Sequence, residues 1–247
     1  MKVVAIIPAA GLGTRMAFAP SSRGQKLPAS KQFLELNGVP VLVRTLRQFA
    51  SSREVSEIII ALRKNEIAPF EERLKSEARE ILQKKTVFVE GGETRQQSVS
   101  NALARVAAAA DDVILVHDAV RPFVSHEIMS DVIAAAHKYG AAITGVPAVD
   151  TVKQVERTAE GAVIRATIPR EKIVMAQTPQ GFRYSVLKKA FDEAAADGFI
   201  GTDEASMVER SGQEVWVVMG SSSNIKITTP ADLELAQHFL RMADEKQ

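Results

Sequence analysis

The segment from Pro8 to Met16 reads Pro-Ala-Ala-Gly-Leu-Gly-Thr-Arg-Met and directly follows the apolar run Val3 to Ile7. A short β-branched run that stops at proline and glycine is typical of a buried strand entering a tight loop. The loop residues are small enough for backbone N–H groups to reach a phosphate, and Arg15 places a cation at its end. The segment predicts a site for the phosphates of a nucleoside triphosphate, with an ordinary strand-to-helix turn as the alternative.

Two better-known phosphate loops also place glycines after a strand, and the residues of this segment exclude both. A dinucleotide fingerprint needs a third glycine or alanine at the position that Met16 occupies. A Walker-type loop needs Gly-Lys followed by serine or threonine at positions 16 to 18, where this sequence reads Met-Ala-Phe. The segment is therefore a small-residue turn with one cation attached.

A second segment with chemical potential, His117 to Pro122, follows the apolar run Val113 to Val116. Asp118 could hold Mg²⁺ or a ribose hydroxyl, and the forked donors of Arg121 suit a phosphate oxygen. A lone histidine after a buried strand is more often a hydrogen-bonded structural group than a metal ligand. We therefore expect His117 to be structural.

Two further segments combine small or apolar residues with a group that could bind a nucleotide. Gly91 and Gly92 would let a base or a phosphate approach the backbone, and Ser98 adds a hydroxyl in the next helix; a plain strand-to-helix connection is the alternative. Lys226 lies between two isoleucines. An inward lysine on a strand suggests a cation aimed into a phosphate pocket, although an edge-strand lysine is the usual explanation.

The segment 147–180 breaks the pattern of the rest of the chain and predicts an inserted β-hairpin arm. Asp150 to Glu156 and Ala162 to Ile168 are strand-like and flank a turn at Thr158 to Gly161. An isolated two-stranded ribbon is marginal in water, so the arm needs another surface, and a second subunit is the simplest supplier. We therefore expect a homodimer through the arm; an arm folded back on its own domain is the alternative.

Basic side chains are spread through all of these segments. Thr151 and Arg170 would form a second anion site if the arm reached an active site, whereas charged residues on a free ribbon are normally solvated. Several cations beside one carboxylate, that of Asp118, can stabilise charge on a phosphoryl group without a covalent intermediate. This set of residues therefore favours nucleotidyl transfer as the reaction. The cations are Arg15, Lys31, Arg121, Arg170 and Lys226.

These residues need a scaffold, and the alternation of strand-like and helix-like segments predicts one. It indicates an α/β fold with a mainly parallel, Rossmann-like sheet covered by helices on both faces. In such sheets ligands bind beyond the carboxyl ends of the strands, where the loops after the strands gather. The predicted strands are Val3–Ile7, Val55–Leu62, Thr86–Val89, Val113–His117, Ala141–Val146 and Val215–Met219. The predicted helices are Val41–Ala50, Ile67–Leu82, Arg95–Ala109, Ser125–Tyr139 and Val186–Ala195, with a last helix that Thr229 caps and Pro230 begins.

Composition limits the class of protein. The 247 residues, 46% of them hydrophobic, suffice for one domain over residues 1–247 with 147–180 as its inserted arm. A formal net charge of +1 gives no electrostatic case for nucleic acid or an anionic membrane as partner. The absence of cysteine excludes disulfides and thiol nucleophiles. No apolar run approaches the length of a membrane span and no signal-peptide pattern opens the sequence, so we expect a soluble cytoplasmic protein.

Eight short motifs, taken together, resemble those of the 2-C-methyl-D-erythritol 4-phosphate cytidylyltransferases of the non-mevalonate isoprenoid pathway. Each motif is weak alone, but their common order over nearly the whole chain is specific. They are the opening loop at 8–16, Lys-Gln-Phe at 31–33, Gly-Gly-Glu-Thr-Arg at 91–95, His-Asp-Ala-Val-Arg-Pro at 117–122, Asp-Thr-Val-Lys at 150–153, Gln-Thr-Pro-Gln at 177–180, Thr-Asp-Glu-Ala-Ser at 202–206 and Asn-Ile-Lys at 224–226.

The resemblance implies a CTP-dependent transferase that uses Mg²⁺, makes 4-diphosphocytidyl-2-C-methyl-D-erythritol and releases pyrophosphate. By position it implies a cytosine and ribose site at Ala9, Ala10, Gly92, Glu93 and Ser98, next to the loop residue Gly11. It implies triphosphate binding by Arg15, Lys31 and Lys226, and ribose or metal binding by Asp118. It also implies that the arm crosses to the partner subunit, where Thr151 and Arg170 would hold the methylerythritol phosphate together with Arg121, with Lys226 as a further candidate. Thr178 and Thr202 match further motif positions.

The chain departs from the family pattern between Arg15 and Lys31, where its loop is longer and Ser30 replaces the usual proline before Lys-Gln. Lys26 therefore competes with Lys31 for the phosphate-contacting role. The residues after Lys31 continue the family pattern and favour Lys31.

Three other functions compete with this one. A ribitol 5-phosphate cytidylyltransferase shares most of the motifs, although its relatives tend to open with Leu-Ala-Gly-Gly instead of Pro-Ala-Ala-Gly. A hexose 1-phosphate nucleotidyltransferase would not carry the Asp-Thr-Val-Lys arm. A nucleotide-binding regulatory subunit without catalysis would not need to retain Arg15, Lys31, Asp118 and Lys226 together.

Overall fold

The computed structural model describes residues 1–11 and 31–244. Arg15 and Lys26 lie outside these ranges, so the predicted role of Arg15 and the competition between Lys26 and Lys31 stay predictions. No helix within the described ranges has both the length and the apolar composition needed to cross a bilayer.

Strands form the centre of the fold. Their bounds are β1 (Val3–Pro8), β2 (Glu35–Leu36), β3 (Val39–Pro40), β4 (Glu57–Leu62), β5 (Lys85–Glu90), β6 (Val113–Val116), β7 (Ala141–Pro147), β8 (Val152–Thr158), β9 (Gly161–Ile168), β10 (Val174–Arg183) and β11 (Trp216–Met219). One sheet contains seven of these strands in the order β11-β7-β10-β6-β1-β4-β5. Its neighbouring strands are parallel except at β10, which runs antiparallel to both β6 and β7. The predicted mainly parallel sheet is confirmed, with one reversed strand inside it.

The first strand shows why helices cover both faces of the sheet. Its side chains alternate between two cores: Val3, Ala5 and Ile7 pack into one, and Val4 and Ile6 into the other. At most 1% of any of these residues is exposed, so both faces of β1 are apolar and must be covered.

The helices are α1 (Val41–Ser51), α2 (Lys64–Glu77), α3 (Arg95–Leu103), α4 (His126–Tyr139), α5 (Tyr184–Ala196), α6 (Glu204–Arg210) and α7 (Pro230–Asp244). The helices α1, α2 and α4 contribute to the first core, and α3, α5 and α6 to the second. As predicted, α7 begins at Pro230, and the Asp232 N–H donates to Thr229 Oγ1 at 3.2 Å.

The predicted carboxyl end of α2, Leu82, is wrong. Ala78 leaves the helical conformation (φ −153°, ψ 46°), and a separate 3₁₀ turn covers Ile81–Gln83. Ile81 is completely buried beyond the end of the helix, so the apolar pattern continues where the helix does not.

The predicted carboxyl end of α3, Ala109, is also wrong. The N–H of Ala109 donates to the Asp112 carboxylate at 2.8 Å, and this contact holds the alanine-rich segment in a loop. Val106 is buried within that segment and imitates a further helical turn in the sequence.

The predicted hairpin is confirmed: β8 and β9 pair antiparallel from Val152–Ile168 to Thr158–Gly161. The segment 174–180, which we assigned to the inserted arm, forms most of β10 and pairs with β7 and β6 in the central sheet. The polar side chains of Gln177, Thr178 and Gln180 are buried, and each is hydrogen-bonded.

The edge strand β11 carries the single tryptophan of the chain. Trp216 stacks on Tyr139 of α4, with ring centroids 3.9 Å apart and an angle of 10° between the ring planes. Almost half of Trp216 is exposed.

Candidate functional site

A cleft lies beyond the carboxyl ends of β1, β5 and β6, where the sequence predicts a ligand site. Parallel strands bring their carboxyl ends to one edge, so the loops that follow them meet there. Most predicted site residues line this cleft: Ala9, Ala10, Gly11, Lys31, Gly92, Glu93, Ser98, Asp118 and Lys226.

The loop after β1 is held by its backbone. The Ala9 N–H donates to the Ala61 carbonyl at 2.7 Å, the Gln32 amide donates to the Ala9 carbonyl, and Arg63 Nε donates to the Ala10 carbonyl at 3.1 Å. These contacts fix Ala9 and Ala10, at the start of this loop, from three sides. Its small side chains leave the cleft open to a ligand beside the backbone.

The loop after β5 packs directly against the loop after β1. A Cβ atom added to Gly91 would lie 2.4 Å from Cβ of Ala10, so only glycine allows this approach. Ser98 then shapes the loop, because its Oγ accepts from the Gly92 N–H at 3.0 Å and donates to the Thr94 carbonyl at 2.9 Å. Thr94 caps α3 by accepting the Gln97 N–H at 3.1 Å.

Asp118, the residue that follows His117 at the end of β6, lies among three cations. Its Oδ1 is 3.1 Å from Arg95 Nε, and its Oδ2 is 2.7 Å from Lys226 Nζ and 3.5 Å from Arg121 Nε. Burial alone would raise the pKa of Asp118, but Arg95, Lys226 and Arg121 outweigh burial and hold the pKa well below its usual range. Asp118 is therefore a carboxylate, and the cations exceed it in charge.

Arg95 links Asp118 to a second carboxylate. Its Nη1 lies 2.7 and 2.8 Å from the two carboxylate oxygens of Glu204, the first residue of α6, which is completely buried. Burial would lower the pKa of Arg95, but Glu204 and Asp118 raise it above its usual range and keep the guanidinium charged. Sequence reasoning assigned no role to either residue, although both lie in quoted motifs, because their pairing spans more than a hundred positions.

His117 is a buried structural group, as predicted. Its Nδ1 lies 3.1 Å from Thr178 Oγ1, which accepts the Asp118 N–H at 3.1 Å, and its Nε2 lies 3.0 Å from the Arg121 carbonyl. These three contacts fit a neutral imidazole that carries its proton on Nε2 and accepts from the Thr178 hydroxyl. Burial lowers the pKa of His117 to about 4.

A second part of the cleft adjoins the first and shares Arg95, Asp118 and Lys226 with it. The predicted residues Arg121, Thr178 and Thr202 line this part. Arg121 is fixed there, since its Nη1 donates to the Asn224 carbonyl at 2.6 Å. The two parts of the cleft therefore meet at Arg95, Asp118 and Lys226.

Thr151 and Arg170 do not join this cleft within one chain. Both are exposed, and Arg170 Nη1 donates to the Val149 carbonyl at 2.7 Å. They lie at the same end of the ribbon formed by β8 and β9, opposite its turn and outside the residues that line the cleft.

Three acidic residues line the two parts of the cleft: Glu93, Asp118 and Asp203. The described part of the chain contains no cluster of three or more histidine, aspartate or glutamate side chains that could hold a metal ion by themselves. Asp118 is the predicted metal ligand that the structure places beside the cations.

Comparisons with known proteins show the family to which the chain belongs. Residues 3–242 match the family model described as 2-C-methyl-D-erythritol 4-phosphate cytidylyltransferase. The chain is 58% identical to the protein of that name from Acidobacterium capsulatum, over 100% of both chains. It is 52% identical to the protein of that name from Solibacter usitatus, over 98% of this chain and 96% of the relative.

Solved structures with the same fold include a 4-diphosphocytidyl-2C-methyl-D-erythritol synthase from Anaerococcus prevotii, with a TM-score of 0.78 and 30% identity over 97% of this chain and 98% of the other. The 2-C-methyl-D-erythritol 4-phosphate cytidylyltransferase from Francisella tularensis has a TM-score of 0.77 and 36% identity over 96% of this chain and 98% of the other.

Proposed function

Because the chain belongs to the family of 2-C-methyl-D-erythritol 4-phosphate cytidylyltransferases, we propose that its cleft binds CTP and transfers the cytidylyl group to 2-C-methyl-D-erythritol 4-phosphate with the help of Mg²⁺. The chain is a nucleotidyltransferase, and its products are 4-diphosphocytidyl-2-C-methyl-D-erythritol and pyrophosphate. One observation carries the assignment of the cleft: Arg95, Arg121 and Lys226 converge on Asp118 where the two parts of the cleft meet.

In this proposal the cytidine half of CTP lies between the loops after β1 and β5. Ala9, Ala10, Gly11 and Gly92 offer backbone there instead of long side chains. Glu93 and Ser98 line the same part of the cleft and supply polar groups for the base and the ribose. The triphosphate then extends toward Lys31 and Lys226, with Arg15 predicted to join them.

The chemical step is an in-line displacement at the α-phosphorus of CTP. A phosphate oxygen of the second substrate forms a bond to that phosphorus, and the bond to the oxygen that bridges the α- and β-phosphates breaks. Pyrophosphate leaves with the electron pair of the broken bond, and the lysine ammonium groups stabilise its charge. The attacking oxygen belongs to a phosphate that is already anionic, so the step needs no general base, in keeping with a buried and neutral His117.

Asp118 is the residue that would hold Mg²⁺ in this proposal. Mg²⁺ is usually bound by one or two carboxylates together with substrate phosphates and water, so one carboxylate beside the triphosphate site fits. Asp118 is ionised, as a metal ligand must be, and Mg²⁺ would share its carboxylate with Arg95, Arg121 and Lys226. When bound, Mg²⁺ would neutralise charge on the phosphates.

We further propose that the arm reaches the cleft of a second copy of the chain. The ribbon exposes Val155, Val163 and Ile164, which a partner subunit would cover. Thr151 and Arg170 would then hold the phosphate of the second substrate beside Arg121, Thr178 and Thr202. This homodimer would act in the cytoplasm, and the net charge of +1 supports a role without nucleic acid or membrane surface as partner.

Pyrophosphate release tests the reaction. The protein is mixed with CTP and either 2-C-methyl-D-erythritol 4-phosphate or ribitol 5-phosphate, with Mg²⁺ or with excess EDTA. We expect release with the first substrate and Mg²⁺ only. Release with ribitol 5-phosphate alone would replace the proposed substrate, and undiminished release in EDTA would remove Mg²⁺ from the proposal.

Mixing two impaired variants tests the shared site, at a methylerythritol phosphate concentration well below its KM, where Arg170→Ala should retain about a tenth of the parental rate. Lys226→Ala damages the site in the chain that carries it, whereas Arg170→Ala damages the site of the partner that the arm reaches. A dimer with one chain of each variant therefore contains one intact site and one doubly damaged site. After unfolding and refolding together, an equal mixture should recover about a quarter of the parental activity. A mixture no more active than the mean of its components would show that Arg170 does not act across the dimer.

A further inference from the structure

We propose that the buried Glu204 is a positioning residue for this reaction, which acts through Arg95 to fix the Asp118 carboxylate. Glu204 has no exposed surface, so it cannot contact a substrate. It holds Arg95 Nη1 with both carboxylate oxygens, at 2.7 and 2.8 Å. The same guanidinium donates from Nε to Asp118 Oδ1 at 3.1 Å, so one rigid planar group connects the two carboxylates.

Glu204 is itself held firmly at the start of α6. Asp203 caps this helix and accepts a hydrogen bond from the Gln180 amide nitrogen at 2.7 Å. The Gln180 amide oxygen accepts the Ala205 N–H at 3.1 Å. Gln180 of β10 therefore fixes the backbone on both sides of Glu204, before any ligand enters the cleft.

The first turn of α3 connects the same two regions a second time. The Gln96 side chain donates to the Phe199 carbonyl at 3.0 Å and accepts the Gly201 N–H at 3.0 Å. Together with Arg95, this contact ties the helix behind the cytidine-binding loop to the loop that carries Thr202. The geometry couples the nucleotide side of the cleft to the side proposed for the second substrate, with Asp118 between them.

Charge explains why a carboxylate is needed at position 204. Without Glu204 the guanidinium of Arg95 would have Asp118 as its remaining carboxylate partner, and it would shift toward that side chain. Asp118 would then lose the orientation that Arg95 imposes on it while Glu204 holds Arg95 in place. Loss of such an outer partner of a metal- or substrate-binding group costs about 10- to 100-fold in activity.

The test compares Glu204→Gln with Glu57→Gln, a matched control. Glu57 is also a buried carboxylate held by cations, Lys2 at 2.6 Å and Lys85 at 3.0 Å, but it lies where β4 begins, at the opposite end of the sheet. We expect Glu204→Gln to lower kcat about 10- to 100-fold while the KM for CTP changes less than about threefold. Glu57→Gln should leave kcat unchanged. It should lower the thermal unfolding midpoint by about as much as Glu204→Gln does. Equal kcat losses in both variants would overturn the proposal, as would an unchanged kcat in Glu204→Gln.

A double-variant cycle decides whether Glu204 acts through Arg95. In an Arg95→Met background, Glu204→Gln should cause no further loss of kcat, and it should raise the unfolding midpoint because a buried unpaired carboxylate is removed. Arg95→Lys should recover only part of the kcat lost in Arg95→Met, since an ammonium lacks the fork that spans two carboxylates. Independent, multiplicative losses of kcat would contradict the mechanism.

The inference rests on the proposed function, and the two fail separately. If the parental chain releases no pyrophosphate from CTP with the methylerythritol phosphate, the proposed function is wrong. If the parent is active and the Glu204 variant matches it, only the positioning role is wrong.

Discussion

The two ends of the central sheet each bury a carboxylate among cations, and the candidate cleft lies at one of these ends. At the amino ends of the strands, Glu57 is paired with Lys2 and Lys85, and 1% of the residue is exposed. At the carboxyl ends, Asp118 has two guanidinium groups and one ammonium around it and faces an open cleft. Both side chains have a pKa below the usual value, because their cations outweigh the cost of burial.

The difference teaches what marks a site. A depressed pKa and a buried ion pair occur at both ends, so neither indicates function by itself. The carboxyl end adds concavity and cations that exceed the local negative charge, and both features serve an anionic ligand. Because both pKa values are lowered on folding, both carboxylates stabilise the fold above about pH 4, and this contribution is lost as the pH falls below that value.

The sharpest test of this comparison replaces one lysine with alanine at each end of the sheet. Lys226→Ala should lower kcat/KM about 100- to 1000-fold, because it removes a cation aimed at the developing charge. Lys85→Ala removes a partner of Glu57 and should leave kcat/KM within about twofold of the parent. Steady-state pyrophosphate release measures both. A large loss in the Lys85 variant would show that the two ends are not independent.

A second prediction concerns acid stability at the carboxyl end. His117 has a folded pKa of about 4 and is neutral, whereas an unfolded histidine titrates near 6.5. The contribution of His117 to the free energy of unfolding is therefore complete above pH 6.5. It declines by roughly 3 kcal/mol as the pH falls from 6.5 to 4. Urea unfolding across this range measures the decline. His117→Gln, which retains an amide donor for the Arg121 carbonyl, should flatten it; an equally steep decline would contradict the assignment.

A smaller effect is expected from the arm, which would extend the cationic end with residues of a second chain. Arg170→Ala should raise the KM for the sugar-alcohol phosphate about tenfold and leave the KM for CTP nearly unchanged, because one phosphate contact is lost. Arg165→Ala is the control, since Arg165 is exposed on the same ribbon and pairs with Glu156. An unchanged KM in the Arg170 variant would remove the arm from the site.

The sequence predicts the strands of the sheet well, because β1 and β6 are continuous apolar runs that stop at loops. It does not reveal β10, whose buried residues include Gln177, Thr178 and Gln180. Polar residues interrupt the expected pattern, and their burial is possible only because partners such as Ser221, His117 and Asp203 come from distant parts of the chain.

The candidate site divides in the same way. Asp118 and Lys226 could be predicted, since each stands out against apolar neighbours in the sequence. Arg95 and Glu204 could not, because their chemistry exists only as a pair that folding assembles. Alanine-rich stretches such as 107–110 mislead in the opposite direction, since their composition favours a helix that hydrogen bonding to Asp112 prevents.

The stacked Trp216 and Tyr139 rings have a practical consequence for spectroscopy. The chain has one tryptophan, and it lies on β11, three strands away from β6, which corresponds to about 14 Å at the usual strand spacing. Tryptophan fluorescence should therefore report the separation of the edge strand β11 from α4. It should respond little to events around the nucleotide. A second fluorophore, introduced near the cleft and emitting at a different wavelength, would report on the two regions separately.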